Sequence, residues 1–312
     1  MPNQRDIDHF SRKLAAEEGS ETATFFNYQS IAPILDPIPR QLLDAIATAA
    51  PTLRAHEKGL PLLLSLTVTV SAATWQSIRF LTFPQPEAGW QPGFIYSVTP
   101  LARTLIDALL NVVYLFDEPG KNARWFLISG WFEQTKEFKR IQAAWGTDPT
   151  WSTWFELAAA DIKQTEDELV TPTPDERQRE RAPKAGWWPN PGSMVKKHPA
   201  REPLRRDFIS YLNDRVYGHL SADSHLSLQG LLRRGGHNLP LAEGLTHEML
   251  HMRASSKFSL DALALYVALL SELSSEFHLS DTNASLLAIW DLLLGHDLAA
   301  SLLSRRYATS LR

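Results

Sequence analysis

Three sets of residues in this 312-residue chain have the types and spacing to do chemistry. The first is a pair of polar stripes. Arg103, Asp107 and Asn111 recur every fourth residue around the apolar run TLIDALLNVVYLF, and Tyr217, Ser221 and His225 do the same within NDRVYGHLSADSHLSL. At 100° per residue each trio lines one face of a helix, so two helices of matching period can meet along a polar seam. Arg103 argues most strongly for a ligand, because a guanidinium carries five donors and one neighbouring carboxylate cannot occupy them all. An anionic small ligand, an RNA phosphate or backbone carbonyls must take the remainder. His225 could exchange a proton near neutral pH, with Asp107 as the carboxylate that orients it. Asp214 cannot fill that role, since it lies roughly 16 Å along the axis from His225 at 1.5 Å per residue. The same six residues could instead form a satisfied network that only fixes helix register.

The second set is His247-Glu248-Met249-Leu250-His251. On a helix the two histidines share a face and can hold zinc while Glu248 acts as general base, with Glu272, 21 positions after His251, as a third ligand. That reading makes the protein a zinc-dependent metallohydrolase. Against it, a Gly/Pro-containing loop precedes the pentad and ASSKFS follows, so the spacing predicts a surface turn or a short helix there, and the favoured reading holds no metal. The third set is Arg215 with His219 or His225. An arginine and a histidine on one helix are the parts of an HEPN-like ribonuclease or toxin. The intervals here, three and nine residues, lie outside the four to six which that class uses.

The stripes also carry a resemblance. Arg103-x3-Asp107 in an apolar helix, Trp188-Pro189, and Tyr217-x2-Leu220-Ser221-x3-His225 resemble an uncharacterised, mostly bacterial family catalogued as domain of unknown function 5677, over about residues 60 to 277. Asp107 stands where that pattern expects the longer Glu. The resemblance implies a helical fold and a residue set, and no activity.

Composition narrows the classes further. The chain has no cysteine, which rules out a thiol nucleophile and Cys-ligated metal and fits a reducing, cytoplasmic setting. A net charge of -4 gives the whole molecule no reason to cling to nucleic acid or anionic lipid. The first residues lack the apolar core of a secretory signal, and the run from Leu60 to Ala73 is too short to span a bilayer, so no membrane partner is expected.

The elements that must position these residues are helices. Apolar positions at 3.6-residue spacing predict them over 40–56 with a break or kink at Pro51, 60–83, 95–116, 121–145, 151–169, 204–229, 259–278 and 280–294. A polar arm occupies 1–30. Residues 171–203, with seven prolines and Arg177, Arg179 and Arg181, predict a long basic loop that serves as a connection or as a lid bearing Trp187 and Trp188. The expectation is an all-α protein with a single helical domain of about seven to nine helices over 31–312.

Overall fold

The computed structural model describes residues 28–82, 95–179, 187–218, 220–221, 247–308 and 311. The sequence-predicted arm therefore lies almost wholly outside the described residues. Among the described residues eleven α-helices of six residues or more follow one another: α1 (Ile38–His56), α2 (Leu60–Thr82), α3 (Ile95–Leu115), α4 (Pro119–Trp145), α5 (Ser152–Gln164), α6 (Pro174–Arg179), α7 (Pro191–Lys196), α8 (Pro203–Tyr211), α9 (His247–Glu276), α10 (Ser280–Leu293) and α11 (Asp297–Leu302). Among the described residues there is no strand, and the architecture is the expected all-α one. Three short helices, α6, α7 and α11, stand beyond the eight whose ranges the sequence predicts. Two of them, α6 and α7, fall within the expected 171–203 loop, because Pro174 and Pro191 each stand at a first helical turn, where a missing N–H is no loss.

α9 is the centre. Every residue from Ala262 to Leu270 is essentially inaccessible, so this helix is apolar on all sides rather than along one stripe. It packs against α3, α2 and α10, with α1 beyond α2. Trp75 of α2 stacks on Tyr266 of α9 at 5.8 Å between ring centroids, and Trp290 of α10 donates its Nε1–H to Ser271 at 3.0 Å. Stretches of α3 (Ser97–Leu115) and α9 (Ser256–Glu276) are long and apolar enough to cross a bilayer, yet both are largely buried against their neighbours as this central pair. α4 and α5 form a helical hairpin at the side, held by a second small core of Leu127, Ile128, Trp131, Phe132 and Val170.

Three local expectations are corrected. α1 runs unbroken through Pro51, which faces solvent and removes only one helical hydrogen bond. The pentad at 247–251 is not a separate short helix: no Gly or Pro separates it from Ser259, and the backbone is one helix from His247 to Glu276, with Ser259 buried in its middle rather than capping it. The expected helix over 204–229 is not regular either. Its turn Leu212–Tyr217 is π-helical, with Gly218 donating to the carbonyl five residues back, which inserts an extra residue and re-aims Tyr217 relative to α8.

Candidate functional site

The seam begins with α3. Its buried face is supplied by Ala102, Leu105, Ile106, Leu109 and Val113, and Arg103 and Asp107 stand one turn apart at the edge of that face. Arg103 Nε donates to Asp107 Oδ2 at 3.1 Å. The π-helical turn delivers Tyr217 from the other side: its ring lies under the Arg103 guanidinium with 3.7 Å between the guanidinium carbon and the ring centroid, and Nη2 donates to the Tyr217 hydroxyl. Such a stack is worth about 0.5–2 kcal/mol, more as it is desolvated. The Arg103 side chain is 18% exposed and that of Asp107 43%. Among the described residues, Nη1 of Arg103 has no hydrogen-bond partner. Partial burial raises the Asp107 carboxyl above the ordinary aspartate range in spite of the adjacent guanidinium, and burial likewise raises the Tyr217 hydroxyl while Arg103 opposes it.

Asn111, the third member of the α3 stripe, has a different partner. Its Oδ1 accepts the Trp188 indole N–H at 2.8 Å, and the Trp188 backbone N–H donates to Ser129 Oγ at 2.6 Å. Trp188 is enclosed by Tyr114, Trp125 and Phe126, all in edge contacts at 5.0–5.8 Å. The segment before α7 is therefore pinned to α3 and α4. It seats on Asn111, two turns from Arg103. Trp187 joins the small hairpin core, with Lys136 over its ring. Ser221 is half-buried one turn beyond Tyr217. His225 lies outside the described residues, as does His219; Asp214 and Arg215 are exposed.

The three residues of the zinc alternative do not converge. His247, Glu248 and His251 occupy the first turns of α9, where the side chains are not among those described, and Glu272 is on the same uninterrupted helix. At 1.5 Å per residue, 21 positions place Glu272 roughly 31 Å from His251, far beyond the reach of ligands on one ion.

Glu272 has another occupation, and here lies the cluster that sequence reasoning missed. Its side chain is 2% exposed and receives Arg205 Nη1 on Oε1 at 3.2 Å, Arg306 Nη2 on Oε1 at 2.9 Å and Arg306 Nε on Oε2 at 3.1 Å. Arg205 also donates to the Val113 carbonyl at 3.1 Å and to Glu276, and Arg306 approaches Glu202 at 3.5 Å. The network joins α3, α8, α9 and the π-helical turn Leu303–Tyr307 after α11. Burial raises the Glu276 carboxyl against the pull of Arg205. Burial alone would depress Arg306, but its hydrogen bonds to Glu272 carry it above the usual arginine value. Tyr307 is fully buried beside Glu272, without a hydrogen bond of good geometry, and burial drives its hydroxyl well up. The one available signal was a lone glutamate in the apolar run ALALYVALLSELSS, which demands a cationic partner.

Comparison of the chain with family models, with curated proteins and with solved structures returns no match. The functional reading rests on the geometry.

Proposed function

We propose that the seam between α3 and the π-helical turn binds a small anionic ligand, a phosphate or a carboxylate, with Arg103 as its anchor. What supports this reading is a guanidinium that is four-fifths buried, held flat by Tyr217, and engaged on Nε and Nη2 while Nη1 has no partner among the described residues. A planar fork fixed in this way loses little entropy when it takes up an oxyanion. Asp107 keeps the fork oriented. In the buried network of Arg205, Arg306, Glu272 and Glu276, with Glu202 at its edge, both guanidinium groups are paired with carboxylates; it supports structure.

The experiment is thermal unfolding of the full chain with inorganic phosphate titrated against chloride at constant ionic strength. Saturation at 100 times the dissociation constant adds about 2.7 kcal/mol, which raises the midpoint by roughly 4 °C. Arg103→Met abolishes the response, and Arg103→Lys, which keeps the charge but loses the fork, weakens it. A wild-type midpoint indifferent to phosphate, to a dicarboxylate and to a short oligonucleotide overturns the proposal. A response to the oligonucleotide alone identifies nucleic-acid phosphate as the source of the anion.

A further inference from the structure

α2 carries a long uncharged face turned to solvent. No ionisable residue occurs between Lys58 and Arg79. Leu62, Leu66, Val70 and Phe80 are between 42% and 61% exposed, and Thr69, Ala73, Gln76 and Ser77 are exposed between them. At 100° per residue Leu62 and Phe80 have the same azimuth, and the others fall within about 80° of it, so these side chains form one stripe roughly 27 Å long. The hydroxyls on the stripe ask nothing of water. Thr69 donates to the Ser65 carbonyl and Ser77 to the Ala73 carbonyl, each at 2.9 Å. The flanking charges are directed elsewhere: Lys58 Nζ donates to the Asp167 carbonyl, and Arg79 lies over the Tyr28 ring with Asp36 at 3.7 Å.

We propose that this face is a self-association surface on which α2 of a second copy of the chain packs antiparallel, about a two-fold axis near Ser71. The stripe is nearly palindromic about that residue. Leu62 of one copy meets Phe80 of the other, Leu66 meets Gln76, and the small residues Thr69 and Ala73 meet at the centre, where they allow close approach. An isologous contact requires this self-complementarity. The antiparallel arrangement also sets the positive N-terminal end of each helix beside the negative C-terminal end of its mate. From the exposed fractions, the face presents roughly 600 Å² per copy, so two copies remove at most about 1,200 Å² from water, the lower end for specific interfaces. A partner of opposite charge gains nothing on a face without charge. An equally long uncharged face satisfies it, and the described residues offer one in α2 itself.

The test is sedimentation equilibrium of the full chain across the micromolar range, with wild type compared to Leu66→Glu/Val70→Glu. The wild type sediments as a dimer and the double variant as a monomer with an unchanged circular dichroism spectrum. A second readout does not depend on the folding of that variant. In this cysteine-free chain, Ala73→Cys is linked to its mate by a bis-maleimide spanning about 10 Å, the separation of packed helix axes, while Leu294→Cys, exposed at the end of α10, is not. A monomeric wild type overturns the proposal, as does a dimer that survives the double substitution or equal cross-linking at both sites. A monomer that co-sediments with neutral phosphatidylcholine vesicles through Leu66 assigns the face to lipid. A monomer whose thermal stability falls on Leu66→Glu assigns it to a segment of the same chain.

Discussion

Replacing Glu272 by Gln is the sharpest test of how the interior is held. Glu272 is enclosed by α3, α8 and the C-terminal turn, and both carboxylate oxygens accept from guanidinium groups. Glutamine keeps one acceptor, so the Oε1 contacts of Arg205 and Arg306 can survive in part. At the other oxygen it turns an amide N–H₂ toward Arg306 Nε, placing donor against donor. The loss is one charge-assisted hydrogen bond, of about 1.5–3 kcal/mol, together with the neutralisation of the more buried of the two carboxylates that Arg205 and Arg306 share, the other being Glu202. Breaking a buried pair in this way costs about 3–5 kcal/mol, which for a chain of this size lowers the midpoint by roughly 5–8 °C. Urea unfolding should show the loss as a lower midpoint at constant slope. Zinc content, measured in the same samples, should be the same in wild type and variant, since Glu272 lies too far along α9 to share an ion with His251. Glu272→Leu combined with Arg306→Met should recover part of the loss by removing both charges, leaving Arg205 to Glu276 and the Val113 carbonyl. An E272Q protein within about 1 kcal/mol of wild type would refute the reasoning, because no buried carboxylate with three such bonds can be neutralised so cheaply.

Three further outcomes follow from the same contacts. Trp188→Phe should cost about 1 kcal/mol in chemical unfolding by leaving Asn111 Oδ1 without its donor, and Asn111→Ala in that background should add little, since the shared bond is already gone. Asp107 should titrate above the ordinary aspartate range in carboxyl-detected NMR; because its folded value is raised, its contribution to stability is present on the acid side and is lost as pH rises through that value. Asp107→Asn should therefore gain on wild type over that window, and an unchanged difference would show the carboxyl to be fully solvated. Asp117→Ala should cost about 1–2 kcal/mol, because its carboxylate accepts the backbone N–H groups of Arg201 and Glu202 at 2.7 and 2.9 Å and so anchors the entry to α8.

What could be read in advance follows the range of the interaction that encodes it. The all-α class, the bounds of α2 and α3 to within a few residues, and the Arg103–Asp107 pair were legible, because hydrophobic period and four-residue spacing are properties of a single helix. The meeting of Arg103 with Tyr217 was legible to the extent that two stripes of equal period invite each other. The π-helical turn that actually delivers Tyr217 was not, since a widened turn is imposed by packing at its ends and leaves no mark in composition. The extension of α9 back through the pentad was masked by Ser259, which reads as a cap although nothing in the fold requires the helix to stop there.

The sequence by itself determined where an ion had to be neutralised: Glu272 stands alone in an apolar run, and burial of an unpaired carboxylate is prohibitive. Only the tertiary structure decided what neutralises it. Arg205 lies 67 positions before it and Arg306 34 after it, and neither is distinguished from other surface arginines by its neighbours in the chain. The same holds for Trp188, seated on an asparagine 77 positions away. Local period specifies the face that a side chain occupies, whereas the partner across that face is chosen by how helices of fixed length pack around α9, a property of the whole chain at once.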